Sequence, residues 1–242
     1  AELDSRRMTP AAIANHLSIR GGIGRGRGVL RAGASRDDLR RAVARGAIVR
    51  VRTGVYCLPH LLAEQQTAAA HGGEVACASA LRRIGVWLLD DDARMHVWVG
   101  SHGRAFPHTG CHCVTHRDDG VSAFGQVGIV QALVQLASCL GDEAFFAAFE
   151  SAWHLGLLGR TERAEVRAGL RAGQRWLVDI ARSDAESGLE SLLRLRLLRL
   201  GITVRCQVWI RDVGRVDFLI DGVLIVESDG REGHAREAER HK

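Results

Sequence analysis

The stretch VGRVDFLIDGVLIVESDG, residues 213–230, constrains this chain more than any other. Two apolar runs flank Asp221-Gly222, a pair that marks a hairpin turn. Asp217, Glu227 and Asp229 lie inside those runs. A carboxylate among Val, Ile, Leu and Phe is costly unless something compensates it, and a divalent cation is the obvious compensator. Side chains alternate across a strand, so Glu227 and Asp229 share a face. Asp217 joins them only by pairing with Glu227, which requires a three-residue loop, Asp221 to Val223, or a bulge. A strict Asp-Gly turn would pair Asp217 with Val226 and turn Glu227 away. The longer loop also puts Val216, Phe218 and Ile220 on one face with Leu224 and Val226, and that clean apolar face favours it.

The surrounding residues extend the constellation. SGLESLLRLRLLRLGI, residues 187–202, reads as a helix with Glu190 near its start, and VRCQVWI, residues 204–210, reads as a strand. Glu190 would add a carboxylate to the group, or would only face the helix dipole. His234 would orient or deprotonate a water, or would be a surface loop residue. Asp217 and Glu227 would ligate a metal, or would pair with Arg215 or Arg231. Oxygen donors favour Mg²⁺ or Mn²⁺ over zinc.

The same residues carry a resemblance. Glu190-Ser191, Arg194, Gln207, Gly214 to Leu219, Glu227 to Gly230 and His234 match the approximate pattern E-S-x-x-R, Q, G-R-V-D-F/L-L, L-x-I/V-E-x-D-G-x-x-H. Residues 184–242 thus resemble the DUF559 domain, a branch of the PD-(D/E)XK nuclease superfamily close to very-short-patch-repair endonucleases. The resemblance implies that Asp217 and Glu227 are metal ligands and that Glu190, Asp229 and His234 complete the catalytic set. Asp229 stands where the superfamily's usual lysine would be. It also implies a further helix and strand beyond residue 242. The chain opens on Ala, and its final REGHAREAERHK reads as the first turns of a helix, so a C-terminally truncated chain is expected.

At the other end the informative feature is charge. Residues 1–60 hold 12 arginines against 4 acidic residues, net +8, whereas the remainder is −3. Lys242 is the sole lysine, a usage also common in GC-rich genomes. A clustered basic face is the footprint of a nucleic-acid binder. Thr9-Pro10 starts a helix over about 10–17. IRGGIGRGRG follows as a flexible stretch without the context of a phosphate loop. Ser35 and Asp38 form a capping box, and Gly46 stops the helix they start. AIVRVRTGVYCLP then reads as a hairpin around Thr53-Gly54. This is the order of a winged helix-turn-helix, with Arg36, Arg40, Arg41 and Arg45 on the groove helix and Arg50 and Arg52 on the wing. SRDDLRRAVARGAIVRVRTGVY resembles the N-terminal antitoxin domain of the AbiEi type, whose members carry S-x-x-x-L-R-R-A-V-x-R-G-x-L/I-V-R-V-x-x-G-V-Y.

Between the two ends, helix signals alternate with strands at 95–100 and 111–117. Trp87, Trp98, Phe145, Phe149 and Trp153 read as packing residues. His108, Cys111, His112, Cys113 and His116 form a group that zinc would suit. The default reading there is a buried strand with exposed histidines. Six irregularly spaced cysteines suit a reducing cytoplasm, no signal peptide opens the chain, and no apolar run spans a bilayer.

The sequence therefore predicts an α/β (α+β) chain in three segments. These are a winged helix-turn-helix DNA-binding domain (1–60), an α/β connector (61–182) and a partial αβββ endonuclease-like core lacking its last helix and strand (183–242). The expected function is DNA binding joined to Mg²⁺-dependent phosphodiester hydrolysis, in a toxin–antitoxin, phage-defence or repair setting. The alternative is a non-catalytic antitoxin or repressor. DNA and a cognate toxin are the expected partners, with no membrane.

Overall fold

The computed structural model describes residues 7–89, 94–108 and 110–226. They form a mixed α/β chain with ten α-helices and three small sheets among the described residues. Two compact units result, neither contiguous in sequence. One combines residues up to 80 with those from 93 to 128, and the other combines 81–92 with those from 129 onward. No described helix is long and apolar enough to cross a membrane.

The first unit opens with α1 (Pro10–Ser18), where Thr9 caps the helix by accepting from the Ala12 N–H at 3.2 Å. The glycine-rich stretch after it departs from the flexible segment expected from the sequence. It forms β1 (Ile23–Arg25) and the short α2 (Gly26–Arg31). The physical reason is close approach. A Cβ on Gly24 would lie 2.7 Å from Leu17, and one on Gly26 would lie 2.9 Å from the Tyr56 ring. Glycine here admits a close neighbour.

α3 (Arg36–Ala44) has the predicted capping box. The Ser35 hydroxyl accepts from the Asp38 N–H at 3.0 Å, and the Asp38 carboxylate accepts from the Ser35 N–H at 2.8 Å. The helix ends as Gly46 enters the left-handed region at φ 68°, and the Gly46 and Ala47 N–H groups donate to Val43 and Ala42. β2 (Val49–Arg52) and β3 (Val55–Cys57) follow, with a register shift between Arg50 and Arg52, and β3 lies between β1 and β2. Ile13, Leu17, Val29, Leu39, Ala42, Ile48 and Leu58 fill the core of this region. Each large aliphatic side chain buried there contributes roughly 1.5–3 kcal/mol.

α4 (Ala63–His71), β4 (Glu74–Val75), α5 (Cys77–Arg83), β5 (His96–Trp98) and β6 (Val114–His116) continue the chain. β5 is central, antiparallel to β4 and parallel to β6.

The second unit holds α6 (Ile129–Cys139), α7 (Gly141–His154), α8 (Arg160–Gly169), a 3₁₀ turn (Ala172–Gln174), α9 (Arg175–Ile180) and α10 (Gly188–Arg199). Phe145, Phe146 and Phe149 on α7 are fully buried, and Trp153 packs edge-on against Phe149. Phe145, Phe149 and Trp153 pack as the sequence predicts. After α10 come β7 (Val204–Ile210), β8 (Gly214–Ile220) and β9 (Leu224–Val226), an antiparallel meander in that order. Ile220 pairs with Leu224 and Phe218 with Val226, so Asp221, Gly222 and Val223 form the loop. This is the longer loop required by the apolar pattern.

The Ser35–Asp38 box yields a stability test. Substituting Ser35→Ala should cost about 1 kcal/mol in urea unfolding at neutral pH. The Ser35 N–H, then the Ser35 hydroxyl and Arg41, hold the Asp38 carboxyl below its ordinary value. A lowered carboxyl stabilises the fold above the unfolded value of 3.8, and that contribution is lost as pH falls through the folded value. Asp38→Asn should therefore flatten the acid limb of the stability profile. Parallel acid limbs for the two proteins would contradict this account.

Candidate functional site

The second unit brings together three polar residues that are distant in sequence. Ser187 caps α10 and accepts from the Glu190 N–H at 3.2 Å, which sets Glu190 in the first turn, facing inward. Gln207 and Asp217 come from adjacent strands. Cys206 pairs with Phe218 and Val208 with Val216, so Gln207 and Asp217 stand at opposed positions of the ladder. The Gln207 Nε2 donates to the Glu190 carboxylate at 2.9 Å and approaches the Asp217 carboxylate at 3.4 Å. One amide thus spans two carboxylates.

Two further features mark Gln207. Its backbone lies at φ 53°, an uncommon conformation for a side chain of its size within a strand. Its Oε1 is buried with no hydrogen-bond partner among the described residues. Strained backbone and an unsatisfied amide oxygen persist only where the surroundings impose them, and such positions concentrate at functional sites.

Burial raises the Glu190 carboxyl above its usual range, and the negative charge of Asp217 adds to the effect. The Glu186 N–H, the Ser187 hydroxyl and the Gln207 amide oppose it. Glu190 also accepts from the Glu186 N–H at 3.1 Å, so it serves the helix start while facing Asp217. Arg215, a candidate ion-pair partner for Asp217, binds Glu186. Glu227, Asp229, His234 and Arg231 lie outside the described residues.

Arg194 reaches the buried Glu150 on α7 and donates to the Ile180 carbonyl at 3.1 Å, and its guanidinium lies 5.0 Å from the Phe146 ring centre. Its position is structural: it ties α10 to α7 one turn beyond Glu190. Burial pushes the Glu150 carboxyl up, and Arg194 opposes that shift.

In the first unit, Arg36 and Arg40 on α3 and Arg45 at its C-terminal cap are exposed. Arg40 pairs with Asp37 at 3.1 Å across exposed side chains, a weak contact. Arg41 binds the buried Asp38. Arg50 donates to the Thr53 hydroxyl at 3.0 Å in the hairpin turn. Arg52 is half-buried, stacks 3.9 Å above Phe106 and donates to the Ala69 carbonyl at 3.2 Å. With Arg25 and Arg104 it lines a cavity of about 330 Å³, for which the sequence offered no signal.

The histidines and cysteines of this unit sort differently from the single group read from sequence. Cys111 and Cys113 meet His71, the last residue of α4, with one donor atom from each within 4.8 Å of the others. His116 stacks against His96, with Nδ1 and Nε2 3.0 Å apart, and Cys77 lies beside them. His116 is therefore not an exposed strand histidine. Burial lowers both the His71 and the His116 pKa, which favours neutral imidazole. Burial and the neighbouring Cys111 push the Cys113 thiol up to about 12. Cys111, despite burial, falls below its ordinary range through hydrogen bonds at Cys113 and His108. His108 and His112 are exposed. His71 and His96 were missed because each stands alone in sequence, and only their burial could have singled them out.

No family model and no curated protein matches the sequence.

The Glu150–Arg194 pair makes a sharp prediction. Removing either partner leaves a buried charge without compensation, so Glu150→Ala or Arg194→Ala should each cost about 3–5 kcal/mol of unfolding free energy. The double change to Leu and Met should recover much of that loss. Equal destabilisation of single and double variants would show that packing, not charge, dominates there.

Proposed function

We propose that the chain is a DNA-binding protein whose C-terminal part is a metal-dependent endonuclease-like domain hydrolysing DNA phosphodiesters. The observation that carries this reading is the Gln207 amide between the Glu190 and Asp217 carboxylates, on a helix followed by an antiparallel meander. Two carboxylates held to one amide repel each other, as the effect of Asp217 on Glu190 shows, and a cation would offset that repulsion. The donors are carboxylate oxygens, which suit Mg²⁺ or Mn²⁺. Asp217 and Glu227 would hold the ion. When bound, such an ion supplies an activated water and stabilises charge on a phosphate. Gln207 would keep the carboxylates oriented, and Glu190, Asp229 and His234 would hold or move protons around the scissile phosphate.

The basic head supports the DNA-binding half. The order α1, β1, α2, α3, β2, β3 supports a winged helix-turn-helix reading, and Arg36 and Arg40 on α3, with Arg45 at its C-terminal cap, are exposed. Its resemblance to AbiEi-type antitoxins favours a second reading, a repressor that binds an operator without cleavage and answers to a cognate toxin.

The test is nicking of supercoiled DNA with Mg²⁺ or Mn²⁺ and with chelator. Asp217→Asn and Glu227→Gln should abolish cleavage, and Gln207→Ala should lower it roughly 10–100-fold, as for residues that orient metal ligands. Full cleavage by the Asp217 and Glu227 variants would reject the site. Metal-independent operator binding with no cleavage would favour the repressor. Arg40→Ala with Arg45→Ala should weaken DNA binding and reduce its salt slope by about one per lost phosphate contact.

A further inference from the structure

We propose that His71, Cys111 and Cys113 form a binding site for a thiophilic divalent cation, Zn²⁺ above all. This site is separate in residues and in chemistry from the carboxylate pair. Imidazole nitrogen and sulfur donors select zinc, whereas the carboxylate pair selects a hard cation.

Three observations converge. The first is donor geometry. The His71 Nδ1 lies 3.2 Å from the Cys111 Sγ, which lies 3.0 Å from the Cys113 Sγ. Tetrahedral zinc with ordinary bond lengths separates such ligands by about 3.5 Å (N to S) and about 3.8 Å (S to S), so the first contact need open by roughly 0.3 Å and the second by roughly 0.8 Å. The second is orientation of the imidazole. The His71 Nε2 lies 2.8 Å from the Thr115 hydroxyl, which leaves Nδ1 to face sulfur. A ligating histidine almost always spends its other ring nitrogen on such a partner, which fixes its tautomer. Thr115 lies on β6, two residues beyond Cys113, so one strand supplies both the orienting hydroxyl and the approach to the cysteines.

The third is the rigidity of the frame. His71 is 3% exposed and ends α4. The Phe106 N–H donates to the His71 carbonyl at 2.7 Å. Gly72 then turns at φ 117°, and a Cβ there would strike the Arg104 carbonyl at 2.6 Å. The Cys111 N–H donates to the His108 carbonyl at 2.9 Å. Cys111 and Cys113 are half-buried, which gives an ion a path in and leaves its fourth position to solvent.

Cobalt titration of the reduced, chelator-treated full chain tests the proposal. Co²⁺ at one equivalent should give the near-ultraviolet sulfur-to-cobalt charge-transfer absorption of a tetrahedral site, and Zn²⁺ should abolish it. Cys111→Ser and Cys113→Ser should each lose that absorption with unchanged far-ultraviolet circular dichroism, whereas Cys77→Ser and Cys206→Ser should keep it. Absorption that survives in the Cys111 and Cys113 variants, or vanishes only in Cys77→Ser, would overturn the assignment. So would a wild-type chain that binds no Co²⁺ while all its thiols titrate as reduced. Should the serine variants fail to fold, X-ray absorption of the zinc-loaded wild type decides. Two sulfur ligands and an imidazole nitrogen are expected, and a sulfur-free shell would reject the site.

Discussion

The second unit depends on a carboxylate and a guanidinium that have almost no access to water. Glu150 and Arg194 are buried on α7 and α10 and form an ion pair through one carboxylate oxygen. The Arg182 N–H also donates to Glu150 at 2.5 Å, and the Ile180 carbonyl accepts from Arg194, so the pair gathers the segment leading to α10. Desolvation penalises both charges heavily, and only good geometry repays it. That demand fixes the rotation of α10. Residues four apart share a helix face, so the turn that buries Arg194 also directs Glu190 inward.

A second constraint acts on the meander. Val216 and Phe218 are buried, and alternation turns Asp217 to the other face, beside Gln207. The apolar face chooses the register, and the register sets where the carboxylate points. Core packing and site geometry are thus one decision here. In the first unit the polar chemistry is of another kind: soft donors are held between a helix end and a strand, and arginines are spread over α3.

Much of this was legible in the sequence because local signals carried it. Ser35, Asp38 and Gly46 announced α3 through capping and a left-handed stop. The alternation from Val216 to Val226 demanded a three-residue loop, and Glu190 and Asp217 stood out as carboxylates at a helix start and inside an apolar strand. Glycine misled. Gly24 and Gly26 read as flexibility, whereas they admit Leu17 and the Tyr56 ring. Arg52 read as an exposed wing residue, but it lies against Phe106, a partner 54 positions away. The sequence also set His116 among its neighbours, although its ring stacks on His96 from another strand.

By itself the sequence determined α1, α3 and α10, the hairpin loops, the basic head and an apolar strand interrupted by Asp217. These follow from capping, periodicity and the cost of burying charge, which act over a few residues. Only the tertiary structure decided which distant groups meet. Gln207 spans Glu190 and Asp217, Arg194 finds Glu150, and His71 joins Cys111 and Cys113, because those contacts come from the packing of whole elements. Periodicity assigns a side chain to a face, but a partner is known only once the opposing face has been placed.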